Sequence, residues 1–217
     1  MRRDGLNLRV LLSLVALVVI AGVVALVSVG GSSGAKGKTS TGVAQGAYRA
    51  EAVLSPATPA PPIALHNYLG QPVNIDRYRG EAVLVTFLYT NCPDVCPLIT
   101  SNLRVAQNLM GAKTASKAQI IAVSVDPKGD TPKAVASFLA RHQMTGRMQY
   151  LIGDAHELAS VWKAWGVGSE RDAQQPQFVN HSGLVYGITA SGKRTTLYTA
   201  SFRPADIAHD VPLLAAN

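Results

Sequence analysis

Apolar positions along this chain fall into three patterns: one long unbroken run, several short unbroken runs, and stretches where they recur every three or four residues. The long run, residues 10–29, carries no charge and only Ser13, Gly22 and Ser28 among its aliphatic side chains. As a helix it reaches about 30 Å, the thickness of a bilayer core, so it reads as a transmembrane anchor. Two short runs, AVLVTFLY at 82–89 and QIIAVSVD at 119–126, read as strands buried on both faces of a sheet. A shorter strand is predicted at 148–152. Helical spacing links Leu98, Ile99, Leu103, Ala106, Leu109 and Met110, and again Leu158, Val161, Trp162 and Trp165 within 155–165. Between them Phe138 and Leu139 give an apolar face to a helix that Thr131 caps, with Pro132 at its first position.

Residues 181–188 and 195–198 flank the turn signal Ala190-Ser191-Gly192-Lys193, which predicts an antiparallel hairpin; a last helix at 205–216 is interrupted by Pro212. The alternation is that of an α/β fold with a central mixed sheet flanked by helices. A strand-helix-strand core, then a hairpin and a helix, with paired cysteines at the first core helix, matches the thioredoxin-like arrangement, an analogy of fold that says little about function. The chain divides into a cytoplasmic N-terminus (1–9), the anchor (10–29), a flexible linker (30–50) and a thioredoxin-like domain (51–217). Gly, Ser, Lys and Thr dominate 30–46, and three prolines at 57–62 make a stiffer entry to the domain. Arg2, Arg3 and Arg9 ahead of the anchor keep the N-terminus inside and put the domain outside. A cleaved signal peptide is the alternative, against which the length of the run argues, and no mitochondrial-type presequence precedes it. The location expected is a bacterial cytoplasmic (inner) membrane, single-pass, with the domain on the periplasmic side.

Charge narrows the function. Of the net +7, five basic residues against Asp4 place +4 before residue 40, leaving about +3 scattered over the domain. Without a basic run or interleaved aromatics, nucleic acid is excluded as the partner.

The chemistry lies in Tyr89-Thr90-Asn91-Cys92-Pro93-Asp94-Val95-Cys96-Pro97, which holds both cysteines of the chain at the point where a central strand turns into a helix. A helix start favours thiolate over thiol, and Pro93 suits a first helical turn. Cysteines four apart on a helix share one face, within reach of one disulfide or one metal ion. A purely structural disulfide is disfavoured, because so small a loop restrains the unfolded chain little. The polar stretch 166–180, read as unstructured, delivers His181 to the start of the hairpin. In a thioredoxin-like sheet that point lies beside the cysteine-bearing helix, so Cys92, Cys96 and His181 converge. Two thiolates and an imidazole suit copper, as Cu(I) or Cu(II); zinc would need a fourth ligand or water.

These segments closely resemble the Sco/SenC family of copper-binding proteins involved in cytochrome c oxidase assembly. The likeness rests on 89–97, on Val125-Asp126-Pro127 with Asp130-Thr131-Pro132, and on Asn180-His181-Ser182. It implies a copper chaperone that holds the ion with Cys92, Cys96 and His181 and delivers it to the CuA site of oxidase subunit II, or prepares that site by thiol reduction. It also implies a reversible Cys92–Cys96 disulfide that cannot bind copper, a second copper chaperone and a thioredoxin-like reductant as further partners. One departure is Asn180, where family members commonly carry Asp. An amide orients an imidazole without adding charge, so lower copper affinity than in an aspartate variant is expected.

Other residues have plainer readings. His66, His142, His156 and His209 lack ligand spacing; Met110, Met144 and Met148, with Trp162 and Trp165, fill the core; Asp94 and Asp130 complement helix starts, and Asp126 makes a turn before Pro127. Two functions compete with the chaperone. A membrane-tethered thiol-disulfide oxidoreductase would use the same pair, although such enzymes generally space their cysteines by two residues and place a cis-proline beside them. A redox or copper sensor would share the whole site. A peroxidase is weaker, since Arg104 is the only arginine in the following helix.

Overall fold

The structure, a computed structural model, describes residues 48–171, 173–175 and 178–217. The expected cytoplasmic N-terminus, the anchor at 10–29 and most of the linker lie outside the described residues. Among those described, no helix is long and apolar enough to cross a membrane.

Eight strands form one sheet: β1 (Ala52–Pro59), β2 (Ala64–Asn67), β3 (Pro72–Asn74), β4 (Ala82–Leu88), β5 (Ala118–Ser124), β6 (Gln149–Ile152), β9 (Leu184–Ile188) and β10 (Lys193–Thr199), ordered β1-β10-β9-β4-β5-β6-β2-β3, while β7 (Glu170–Arg171) and β8 (Val179–Asn180) pair with each other. The β4–β5–β6 core is parallel and the remaining pairs are antiparallel. Every residue of β4 is buried, which is why its sequence is an unbroken apolar run rather than an alternation. Four helices connect or cover the strands: α1 (Val95–Ala115), α2 (Pro132–Arg141), α3 (Ala155–Trp165) and α4 (Pro204–Ala215). This is the mixed α/β architecture read from the sequence, and α3 has the predicted bounds.

Several local expectations change. The first half of the stiff entry, 57–59, is strand: β1 lies at the edge of the sheet, where a proline without a ladder N–H is tolerated. The stretch 166–180 carries the β7–β8 pair. Pro212 sits inside a continuous α4, which gives up one backbone hydrogen bond there. Helix α1 starts later than expected: Asp94 is its N-cap, accepting from the Val95 N–H, so Pro93 lies ahead of the helix. Its buried face is Cys96, Ile99, Leu103 and Ala106 with Thr100 and Gln107, whereas Leu98 and Leu109 are exposed. Thr131 caps α2 as predicted, taking the Ala134 N–H at 3.2 Å.

Two buried carboxylates lock the frame. Asp210 of α4 accepts the Arg49 N–H and the Tyr198 hydroxyl, at 2.8 Å each, and pairs with His209 Nδ1. Asp130, expected to serve only the start of α2, instead accepts the Thr90 N–H (2.8 Å), the Ser124 hydroxyl (2.6 Å) and the Tyr150 hydroxyl (2.9 Å). It ties the cysteine turn to β5 and β6. Burial raises its pKa, against the pull of those three donors. Truncation strands buried donors that together cost on the order of 3 kcal/mol. Asp130→Ala is therefore expected to lower the urea midpoint by that stability without changing the slope, whereas a substitution at exposed Leu109 leaves it in place.

Candidate functional site

The strand β4 ends at Leu88, and six residues, 89–94, make the turn into α1. Cys92 N–H bonds the Tyr89 carbonyl at 3.3 Å, and Cys96 N–H points to Cys92 Sγ at 3.3 Å. The Thr100 hydroxyl caps the Cys96 carbonyl at 2.7 Å. Both cysteines are free thiols and buried, Cys96 completely and Cys92 at 9% exposure. Opposite them, β8 and the turn after it present His181. Gly183 makes that approach possible: a Cβ there would stand 2.7 Å from Val95 Cγ1 and 3.3 Å from the Ala200 Cβ.

His181 Nδ1 lies 3.2 Å from the Ser182 carbonyl and Nε2 lies 3.7 Å from Cys96 Sγ. Burial pulls the imidazole pKa down, with the Ser182 carbonyl acting the other way, so the ring is neutral at neutral pH. The bond to Ser182 assigns the proton to Nδ1 and turns the Nε2 lone pair toward the sulfur. Asn180 is exposed and pairs through its backbone with Glu170, and the ring's own hydrogen bond runs to the Ser182 carbonyl.

The two sulfurs differ sharply. The Cys92 pKa is lowered to about 6, first by hydrogen bonding from the Cys96 thiol, against burial, and then by the N–H groups of Cys96 and Asp94 and by the Tyr89 hydroxyl. Cys96 is pushed far up, first by its bond to Cys92 and next by burial. Cys92 is thus the standing thiolate and Cys96 its proton donor.

An open pocket of about 390 Å³ fronts the site, lined by Tyr89, Cys92, Val95, Phe178 and His181 among others. Among the described residues no group of three His, Cys, Asp or Glu side chains is preassembled to hold a metal ion. Two of the three predicted ligands nevertheless stand at a bridging separation. A first-row ion about 2.3 Å from sulfur and about 2.0 Å from nitrogen, at a trigonal angle, holds those donors about 3.7 Å apart, the separation found between Cys96 and His181. Completing a three-ligand set requires Cys92 to exchange its hydrogen bonds for the ion.

The remaining histidines stay away from the site: His209 pairs with Asp210, and His142 packs at a tilt against Phe138. Met144 and Met148 are buried in the core. Trp165 packs on Phe87 and Tyr186, and the Trp162 indole donates to the Ser124 carbonyl at 2.9 Å. Asp126 is buried and closes the turn before Lys128. Sequence reasoning quoted Tyr89 and Ser182 within their motifs without giving either a role of its own, and it passed over Gly183, which adjoins the histidine without a side-chain signal.

Comparison with known proteins adds four findings. The SCO1/SenC family model matches residues 54–216. The SCO2-like protein RP587 of Rickettsia prowazekii is 30% identical over 139 residues, 61% of this chain and 65% of that one. Among solved structures, ScoI of Bradyrhizobium japonicum with copper bound is 28% identical, with a TM-score of 0.64 over 73% of this chain and 99% of that one. BsSco, a member of the Sco family of cytochrome c oxidase assembly proteins in which a disulfide switch was identified, shares the fold at 24% identity, with a TM-score of 0.60 over 73% of this chain and 94% of that one. The chain spans roughly half to two thirds of the length of the curated relatives it matches.

The asymmetry of the two thiols is measurable. Alkylation of the metal-free, reduced protein by iodoacetamide is expected to fall on Cys92 first, its rate rising with pH through a midpoint near 6 as thiolate forms. Cys96 stays unreactive over the same range. A midpoint of 8 to 9 for both cysteines, read by peptide mass spectrometry, is the contrary result, that of ordinary thiols at roughly 8.5.

Proposed function

The chain belongs to the SCO1/SenC family, and from that membership we propose that it is an extracytoplasmic copper chaperone that carries one copper ion on Cys92, Cys96 and His181. The observation that carries the reading is the pairing of a sulfur and a ring nitrogen at 3.7 Å, that nitrogen left as the acceptor of the ring because the other one is engaged. Copper bound to ScoI of Bradyrhizobium japonicum supports it. The ion is cargo, and this donor set suits it: soft sulfur holds Cu(I), and the imidazole lets the same site accept Cu(II).

Loading begins at Cys92, already a thiolate at neutral pH. As the ion arrives Cys96 gives up its proton, so binding releases acid. Three ligands leave room for an incoming thiolate to bind before one departs, which is how the ion passes on by exchange. The acceptor we propose is the CuA site of cytochrome c oxidase subunit II, with a second copper chaperone upstream as donor. Residues 10–29 act as a bilayer anchor, holding the domain outside the membrane and raising its effective concentration at a membrane-bound acceptor.

The unequal thiols favour one further use of the same pair. The Cys92 thiolate attacks a sulfur of a partner's disulfide and expels the other as a thiolate; Cys96, once deprotonated, then displaces the partner from the mixed disulfide. The partner leaves as a dithiol and the chain keeps a Cys92–Cys96 disulfide, which cannot take copper until a thioredoxin-like reductant reopens it. Reduction would thereby prepare an acceptor and gate loading.

The reduced full chain in detergent is expected to bind one Cu(I) per chain, with release of protons. His181→Ala should weaken that affinity by at least about tenfold, and the disulfide form should bind none. Tight binding indifferent to His181 sinks the three-ligand site, and no tight binding sinks the chaperone.

A further inference from the structure

Gly183 follows His181 by two residues and is pressed against the first turn of α1. A Cβ there would stand 2.7 Å from Val95 Cγ1, 3.3 Å from the Ala200 Cβ and 3.6 Å from Ile99 Cδ1. Its φ lies outside the left-handed region, so the constraint on this position is one of space alone. Small shifts absorb the last two distances, but the first is about 1 Å short of ordinary carbon contact. Val95 cannot simply turn aside: it opens α1 behind the Asp94 cap, and a valine in a helix keeps one rotamer. The strand after the glycine is equally fixed. Leu184 opens β9, pairs with Thr199 and gives its carbonyl to the Thr86 hydroxyl at 2.9 Å. What can move is the segment before the glycine, held by the two-residue β7–β8 pair, and it carries His181.

We propose that Gly183 determines which copper ion the site prefers: by placing no Cβ against Val95 it keeps the imidazole at metal-bridging distance from the Cys96 sulfur, and so sustains Cu(II) binding beside Cu(I). The inference rests on the copper reading above. Cys96 Sγ and His181 Nε2 are 3.7 Å apart. A ring drawn back by about 1 Å would put them beyond the roughly 4.3 Å that one ion spans even in a straight line. Cu(I) loses less from that retreat, because two thiolates suit it without nitrogen, whereas Cu(II) loses the donor that lets the site accept it.

Gly183→Ala in the full chain in detergent tests this. The ratio of Cu(II) to Cu(I) affinity should fall by about tenfold or more, the scale on which groups that orient a metal ligand act. The nitrogen coupling in the electron paramagnetic resonance spectrum of the Cu(II) form should weaken. In the double variant Gly183→Ala, Val95→Ala the obstructing methyl is gone, so ratio and coupling should return to those of Val95→Ala alone. A mere loss of stability would show no such rescue. A ratio unchanged in Gly183→Ala, or a fall that persists in the double variant, overturns the proposal. The structure of the metal-free Gly183→Ala protein reads the steric half without copper: Nε2 more than about 4.3 Å from Cys96 Sγ is expected, and the wild type's 3.7 Å overturns it. A wild-type chain that binds no copper would strike the chaperone reading instead, and that distance would still decide whether Gly183 places the histidine.

Discussion

A strand buried along its whole length must give up its ladder partners somewhere, and just past the end of β4 the N–H of Thr90 goes to the carboxylate of Asp130. That one bond fixes the turn that follows. Asp130 is itself held by Ser124 at the end of β5 and by Tyr150 in β6, so the cysteine turn is tied to the tips of the two neighbouring parallel strands. Because the groups are buried, each is costly to leave unpaired, and the network holds as a unit. The two sulfurs are presented from a rigid base, and only the histidine side of the site depends on a short two-residue strand.

The chemistry follows from how unequally the base treats the two sulfurs. Cys92 collects backbone N–H groups, a thiol and a phenol and is held as thiolate; Cys96, fully buried, supplies the proton. A pair so arranged can begin either a ligand exchange or a disulfide exchange from the same atom, and His181 adds a neutral nitrogen that only a metal needs. The nitrogen is ready because a carbonyl one residue away, that of Ser182, engages the other side of the ring.

Much of this was legible in the order of residues, for reasons that differ from place to place. The runs at 82–89 and 119–126 announced buried strands because full burial erases alternation, and α3 was readable to the residue because Asp154 and Gly166 punctuate it, a capping box at one end and a left-handed glycine at the other. The meeting of Cys92, Cys96 and His181 was foreseeable from topology, since β9 runs antiparallel to β4 and so begins where β4 ends. What stayed hidden depends on backbone atoms or on long-range partners. The Ser182 carbonyl carries no residue-type signal, the carboxylate of Asp130 serves strands rather than the helix beside it, and Leu98 and Leu109 kept helical spacing while facing solvent. The β7–β8 pair escaped notice because two residues per strand leave no periodicity to read.

The central claim is that one ion takes two sulfurs and one ring nitrogen from a single chain, and X-ray absorption at the copper edge of the Cu(I)-loaded protein tests it most directly. Two sulfur scatterers and one imidazole nitrogen are predicted, with only the nitrogen lost in His181→Ala. A shell of sulfur alone in the unaltered protein, or one of nitrogen and oxygen without sulfur, would contradict the account.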